Sequence, residues 1–302
     1  MEAYLDNAAT TRAADEVAKV VTDIMLNDYG NPSSKHSKGF DAEKQVKQAA
    51  QIIAKTLKCD EKEILFTSGG TESNNMAIIE SAIANKRRGN HVIVSSVEHS
   101  SVKEPFRYLE ENGFNVTYLP VDNRGLVSVD ALKEALDEET ILVSVMLVNN
   151  EIGTIEPVEK IGKIVKDYNK DIIFHVDAIQ AYGKMRIYPK KMNIDLLSVS
   201  GHKIHGPKGT GFLFIKDKTN LVTADLICHG TPSPYLLKKC LQEYGHDINT
   251  LTDINFRIKS LYELNRDGKP IAAFHTMDNY LIAFLHSYDY TENCYSCKFA
   301  TL

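Results

Sequence analysis

Between residues 14 and 215 the apolar residues switch period repeatedly, from a helical spacing of about 3.6 to short β-rich runs and back. The run AADEVAKVVTDIM reads as an amphipathic helix and GFDAEKQVKQAAQIIAKTL as a longer one. Strands and helices then alternate: EILFT before the helix TESNNMAIIESAIANKRRG, HVIVSS before SSVKEPFRYLEENG, NVTYLP before SVDALKEALD, and ILVSVMLV before VEKIGKIVKDYNK. IIFHVDA, DLLSVS and GFLFIK follow as strands. Strands this rich in branched and aromatic residues are expected to be covered on both faces. The prediction is an α/β fold around a mostly parallel, doubly wound sheet.

After about Asn220 the rhythm changes. LVTADLIC and LTDINFRI read as strands, SPYLLKKCLQEYG as a short helix, NRDGKP as a turn and DNYLIAFLHS as a helix. The cysteines shift with it: Cys59 stands alone early, whereas Cys228, Cys240, Cys294 and Cys297 crowd the end. The reading is a large domain over 1–220 and a short α+β tail over 221–302, which is marginal for an independent core.

Composition removes several classes of function. A formal net charge of −5 argues against a nucleic-acid or anionic-membrane surface. No apolar run approaches the roughly 18 residues of a membrane span, and MEAYLDNAATTRAADE has neither the basic nor the apolar region of a signal peptide. Five cysteines in such a chain suggest thiols or metal ligands rather than disulfides, and a cytoplasmic location.

In α/β sheets ligands sit at the carboxyl ends of strands, and four such ends here carry unusual residues. In FTSGGTESNN, Gly69 and Gly70 let backbone N–H groups approach an anion, and Thr71 and Ser73 add hydroxyls at a helix start. A glycine turn with an N-cap would read the same way. In HVDAIQ, Asp177 closes an apolar strand and Gln180 follows. A buried carboxylate needs a cation, such as a protonated ring nitrogen, unless it only caps the next helix. In SVSGHKIHGPKGTGF, Lys203 lies beside Ser200 and His202; a Schiff-base lysine must be partly neutral, and Lys203 suits that better than Lys208 or Lys216, which are expected to be exposed. In SSVEHSS, His99 could stack on a flat ligand, shuttle a proton or merely border a helix. Asn149 and Asn150 in VNNEIG could donate to a phenolate or a carboxylate, although turn chemistry accounts for asparagine equally well. Taken together, a phosphate cradle, a ring-nitrogen carboxylate, a stacking histidine and a Schiff-base lysine suit pyridoxal 5'-phosphate.

The stretches YLDNAATT, GNPSSKHSKG, SGGTESNN, VEHSSV, VNNEIGTIEP, HVDAIQAYGK and SVSGHKIHGPKGTGFL, spread over residues 4–213, resemble the cysteine desulfurases. These are class V aminotransferase-like, fold-type I pyridoxal-phosphate enzymes. The resemblance implies that Lys203 forms the Schiff base with the cofactor, Asp177 faces the pyridine nitrogen and His99 stacks on the ring. It places Gln180 and Asn150 at the phenolic oxygen and the substrate side, and Gly70, Thr71, Ser200 and His202 at the phosphate. Lys203, His99 and Asp177 are the expected catalytic residues. The implied substrate is L-cysteine or a related amino acid, converted to alanine with sulfur passing to an acceptor. A homodimer and a sulfur-accepting scaffold protein are the implied partners.

The resemblance stops before the tail. The family's nucleophilic cysteine loop, its arginine–serine–glycine–threonine segment and its late substrate-carboxylate arginine have no counterpart in 221–302. Sulfur transfer is therefore expected to be impaired. An inactive cofactor-binding remnant, or a lyase needing no protein thiol, are the alternatives. LVTADLICHGTPSPYLLKKCL, INFRIK and ENCYSCKFA resemble part of the carboxy-terminal domain of deazaflavin-reducing hydrogenase and dehydrogenase beta subunits, which bind flavin and an iron–sulfur cluster. Cys228, Cys294 and Cys297 are weak metal candidates, since a four-ligand site needs more donors. Reduced thiols without a metal or an iron–sulfur cluster are the expectation.

Overall fold

The computed structural model describes residues 3–221 and, as backbone, residues 265–266, 269–270, 273–277 and 280–284. The chain divides into two compact units, residues 1–29 with 44–222 and residues 30–43 with 223–302.

The first unit is built on a seven-stranded sheet. In chain order its strands are β1 (Ile64–Thr67), β2 (His91–Ser95), β3 (Asn115–Leu119), β4 (Thr140–Ser144), β5 (Ile173–Asp177), β6 (Leu196–Ser200) and β7 (Gly211–Ile215). Their spatial order is β1-β7-β6-β5-β4-β2-β3. The neighbours from β6 to β3 all pair parallel, while β7 is antiparallel to both β6 and β1. Thus β1, β2, β4, β5 and β6 all end at the same edge of the sheet. Every residue of β2, β4, β5 and β6 is buried, as their continuous apolar character required.

Helices α1 (Asp15–Asn27) and α2 (Ser37–Leu57) precede the sheet. The helix expected over 71–89 is instead three pieces: α3 (Gly70–Asn75), a π-turn (Met76–Glu80) and α4 (Ser81–Asn85). Ser81 Oγ donates back to the carbonyls of Ala77 and Ile78, a local bond that competes with the regular ladder. The connections α5 (Ser100–Glu111), α6 (Val129–Ala135) and α7 (Val158–Tyr168) complete the unit. The core is filled by Phe174, Phe214, Ile93, Leu132 and Ile161, each essentially inaccessible. Helix α1 has no buried residue, and its apolar Val20, Met25 and Leu26 are exposed.

In the second unit two short hairpins are described, β8 (Asn265–Arg266) with β9 (Lys269–Pro270) and β10 (Ala273–Met277) with β11 (Tyr280–Phe284). The first brackets the Asp-Gly of the expected turn. The second corrects the helix expected over 278–287: Tyr280–Phe284 is a strand. A short run such as YLIAF is apolar on every period, so pattern alone does not separate helix from strand. The expected tail elements before residue 265, and Cys228, Cys294 and Cys297, lie outside the described residues. Among the described residues no helix is long and apolar enough to cross a membrane, and no group of three His, Cys, Asp or Glu is placed to hold a metal ion.

Candidate active site

Thr67, Ser95, Ser144, Asp177 and Ser200 end the strands that share one edge, and the segments that follow them enclose a cleft of about 450 Å³. Gly70, Thr71 and His99 line it, as do Asn150, Asp177 and Gln180, and finally Ser200, His202 and Lys203. All nine cofactor or catalytic candidates therefore meet in one place. A second recess of about 490 Å³ shares Gly70, Thr71, Ser200 and His202 with the first and adds Lys208.

The Gly-Gly pair makes the narrow wall between strand and helix. Gly69 has φ 152°, a conformation that side-chain-bearing residues rarely adopt. A Cβ on Gly70 would lie 2.0 Å from Ile179 Cδ1, so a larger residue at the start of α3 would have to displace the Ile179 side chain. Ile179 itself lines the cleft.

Asp177 is buried at the end of β5. Its carboxylate accepts the N–H of Ile179 at 2.9 Å and the Nδ2 of Asn74 at 2.8 Å. No helix follows Asp177 for it to cap: it closes a turn instead, and it lines the cleft. Burial raises its pKa, while those donors and the charges of His99 and Lys203 draw it back down. Asn74 also donates to Ser101 Oγ at 2.9 Å, and Ser101 Oγ lies 2.8 Å from His99 Nδ1. His99 caps α5 by accepting the Ser101 N–H at Nδ1, 3.1 Å away.

Lys203 sits in the single-turn 3-10 helix Gly201–Lys203 directly after β6, half-buried. Its Nζ donates to the carbonyl of Ala8, which also accepts Gln180 Nε2 at 2.9 Å. Burial and the nearby Lys184 lower the Lys203 pKa, opposed by Asp6 and Asp177. His202 contacts Thr10 Oγ1 through Nδ1 at 3.1 Å, and burial, Lys203 and Lys208 all lower its pKa. The cleft therefore holds both a lysine whose pKa is drawn below its ordinary value and a buried carboxylate.

Three expectations are corrected. Ser73 is not part of the cradle: it is buried, and its Oγ pairs with Thr67 Oγ1 at 2.8 Å, because position 73 faces the sheet when Thr71 faces the cleft. Asn149 is a turn residue whose Oδ1 accepts the N–H groups of Glu151 and Ile152, leaving Asn150 to the cleft. Lys216 is not free at the surface: it joins the buried Asp195 at 2.9 Å, beside Lys166. Lys208 is exposed, as expected.

Residues not singled out include Asn74, Ser101, the Ala8 carbonyl and Glu98. Glu98 is wholly buried beside His99, where Oε1 accepts Ser95 Oγ and the Met146 N–H, each at 2.6 Å. Its Oε2 has no partner, and burial pushes its pKa up to about 8. Helical spacing from Gly70 was the available signal for Asn74, one turn later on the same face.

The aminotransferase class-V family matches residues 3–231. A cysteine desulfurase IscS of Clostridium botulinum is 48% identical over 229 residues, covering 76% of this chain and 56% of the relative. Among solved structures, a NifS-like protein superposes with a TM-score of 0.72 at 42% identity, covering 73% of this chain and 60% of that one. A structure described as SspA in complex with cysteine gives 0.69 at 42% identity, covering 72% and 62%. The chain spans a little over half the length of the curated relatives it matches.

Proposed function

Because this chain belongs to the aminotransferase class-V family, we propose that its first unit is the cofactor-binding part of a pyridoxal-phosphate enzyme of cysteine desulfurase type acting on L-cysteine. The observation that carries this reading is the convergence of Lys203, Asp177, His99 and the Gly70–Thr71 helix start on one cleft. The fit to the cofactor rests on two features. The cradle at Gly70 has no room for a Cβ against Ile179, and Asp177 is a buried carboxylate whose protein partners are neutral N–H donors.

Gly70, Thr71, Ser200 and His202 would hold the phosphate, His99 would lie against the ring, and Gln180 and Asn150 would reach the phenolic oxygen and the substrate side. When bound, pyridoxal 5'-phosphate supplies an aldehyde that condenses with amines and a ring that draws electrons from the substrate Cα. Asp177 would hold a proton at the ring nitrogen, and desolvation alone would make an unpaired carboxylate there unfavourable. Lys203, whose pKa is drawn below the ordinary lysine value by burial and Lys184, would be the amine that holds the aldehyde carbon and would move the proton at the substrate Cα.

The sulfur acceptor is a separate matter. Cys59, the cysteine among the described residues, does not line the cleft, and burial with the neighbouring Glu63 pushes its thiol up to about 11. A thiol protonated at neutral pH is a poor nucleophile. The reading therefore assigns sulfur to an acceptor beyond the described residues, such as a scaffold protein or a soluble thiol. By the same resemblance it extends to a cytoplasmic homodimer.

The test is direct. Protein reconstituted with pyridoxal 5'-phosphate is given L-cysteine with and without a soluble thiol, and alanine and sulfide are measured. Alanine formed by the wild type and absent in Lys203→Ala is the expected result; equal output from both would overturn the reading.

A further inference from the structure

Asn74 and Ser101 lie outside the set of residues assigned to cofactor or substrate, yet they tie two members of that set together. Asn74 spends both amide protons, one on Asp177 Oδ2 at 2.8 Å and one on Ser101 Oγ at 2.9 Å. Its Oδ1 is buried without a partner. Turning the amide over would set that oxygen against the carboxylate of Asp177, so the orientation is dictated by the acid. The Ser101 hydroxyl accepts from Asn74, so its own proton is free for His99 Nδ1, 2.8 Å away.

The main chain makes the same demand. A backbone N–H can only donate, and the N–H of Ser101 points at His99 Nδ1 at 3.1 Å. Two donors aimed at one ring nitrogen require it to carry a lone pair, which leaves the proton of the neutral ring on Nε2. We propose that Asn74 and Ser101 are positioning residues whose donor chain, running from Asn74 through Ser101 to His99 and anchored on Asp177, fixes His99 as its Nε2–H tautomer. The imidazole then presents Nε2–H as its remaining donor. Because one amide holds both the carboxylate and the serine, a change at Asp177 is transmitted to the ring.

This deepens the pyridoxal-phosphate reading, but its test does not need the cofactor. Full-length apoprotein labelled with 15N-histidine is examined by long-range 1H–15N correlation, the His99 signals being assigned by their loss in His99→Gln. The wild type is expected to show His99 with an unprotonated Nδ1 and a protonated Nε2. Ser101→Ala removes the hydroxyl donor and Asn74→Leu frees it to turn away, so with only the main-chain N–H left on Nδ1 both are expected to admit a measurable Nδ1–H share, whereas Ser101→Thr, which keeps the hydroxyl, retains the wild-type pattern. A wild-type ring that is Nδ1–H or evenly mixed would overturn the proposal, even if a variant fails to fold. So would a tautomer unmoved in both Ser101→Ala and Asn74→Leu. Failure to trap cofactor on Lys203 would instead sink the parent reading and leave this result standing.

Discussion

Gln180 and Lys203 donate to the same atom, the main-chain carbonyl oxygen of Ala8, with Gln180 Nε2 at 2.9 Å. Gln180 also accepts Lys184 Nζ through Oε1 at 3.3 Å. One amide therefore links Lys184 to the carbonyl that also accepts Lys203. Gln180→Ala removes one neutral hydrogen bond from the proposed cofactor. Pyridoxal 5'-phosphate should bind roughly 2- to 10-fold more weakly, as read by absorbance titration. Unchanged affinity would place Gln180 outside the cofactor contacts.

Gly70→Ala drives a methyl group into Ile179 Cδ1. Overpacking of this kind costs about 1–3 kcal/mol, and the same displacement opens the cradle. Thermal unfolding should show the loss, with cofactor affinity falling about tenfold or more. Adding Ile179→Ala makes room for the methyl and should recover part of both. A double variant no better than Gly70→Ala would show that the clash is relieved some other way.

Asp177→Asn leaves one acceptor oxygen where the carboxylate offered two, to the Ile179 N–H and to Asn74 Nδ2, so one of these donors faces an N–H instead. Leaving a buried polar group unsatisfied costs about 1–3 kcal/mol. The exchange Asp177→Asn with Asn74→Asp restores an acceptor opposite a donor, so denaturant unfolding should recover much of the stability. Alanine formation should not recover, because the acid then sits on α3 and not at the end of β5. A loss of about 100-fold or more is expected in both variants.

Two buried groups give the fold opposite pH slopes. His175 is wholly buried between Ser144 Oγ and Ser198 Oγ, at 2.8 and 2.9 Å, and burial takes its pKa down to about 3. Between about 6.5 and 3 the unfolded chain binds a proton that the folded chain refuses, so stability falls as the pH is lowered through that window. Glu98 does the reverse. Its folded pKa of about 8 exceeds the ordinary 4.5, so the stability tied to its protonated form is complete below about 4.5 and is lost as pH rises toward 8. Each slope is at most about 1.4 kcal/mol per pH unit. In unfolding series across pH, His175→Gln should flatten the acid limb and Glu98→Gln the alkaline one.

The large-scale reading was available from the chain because parallel strands buried on both faces are apolar throughout and their helices carry a clear period. Asp177 and Ser200 were legible for a related reason: a polar residue closing an apolar strand stands out, and Lys203 follows Ser200 within one short turn. Asn74 carried only the faint signal of lying one turn after Gly70, and Ser101 carried none, because each sits at a helix position that gains meaning from the side chain the fold brings opposite it. Ser73 misled, since a hydroxyl beside a glycine pair suits an anion cradle until the helix phase turns it inward. The 278–287 run misled because six consecutive apolar residues satisfy both periods. Lys216 looked like a surface lysine because its partner Asp195 lies 21 positions away, across the β6–β7 pairing.

The central claim is that Lys203 is the amine that takes the cofactor aldehyde. Protein incubated with pyridoxal 5'-phosphate is reduced with borohydride, digested, and the modified lysine is located by peptide mass spectrometry. The account predicts a single stoichiometric label on Lys203, abolished when pyridoxal without its phosphate is used at the same concentration. Label spread over exposed lysines such as Lys208 and Lys184, with Lys203 unmodified, would contradict it.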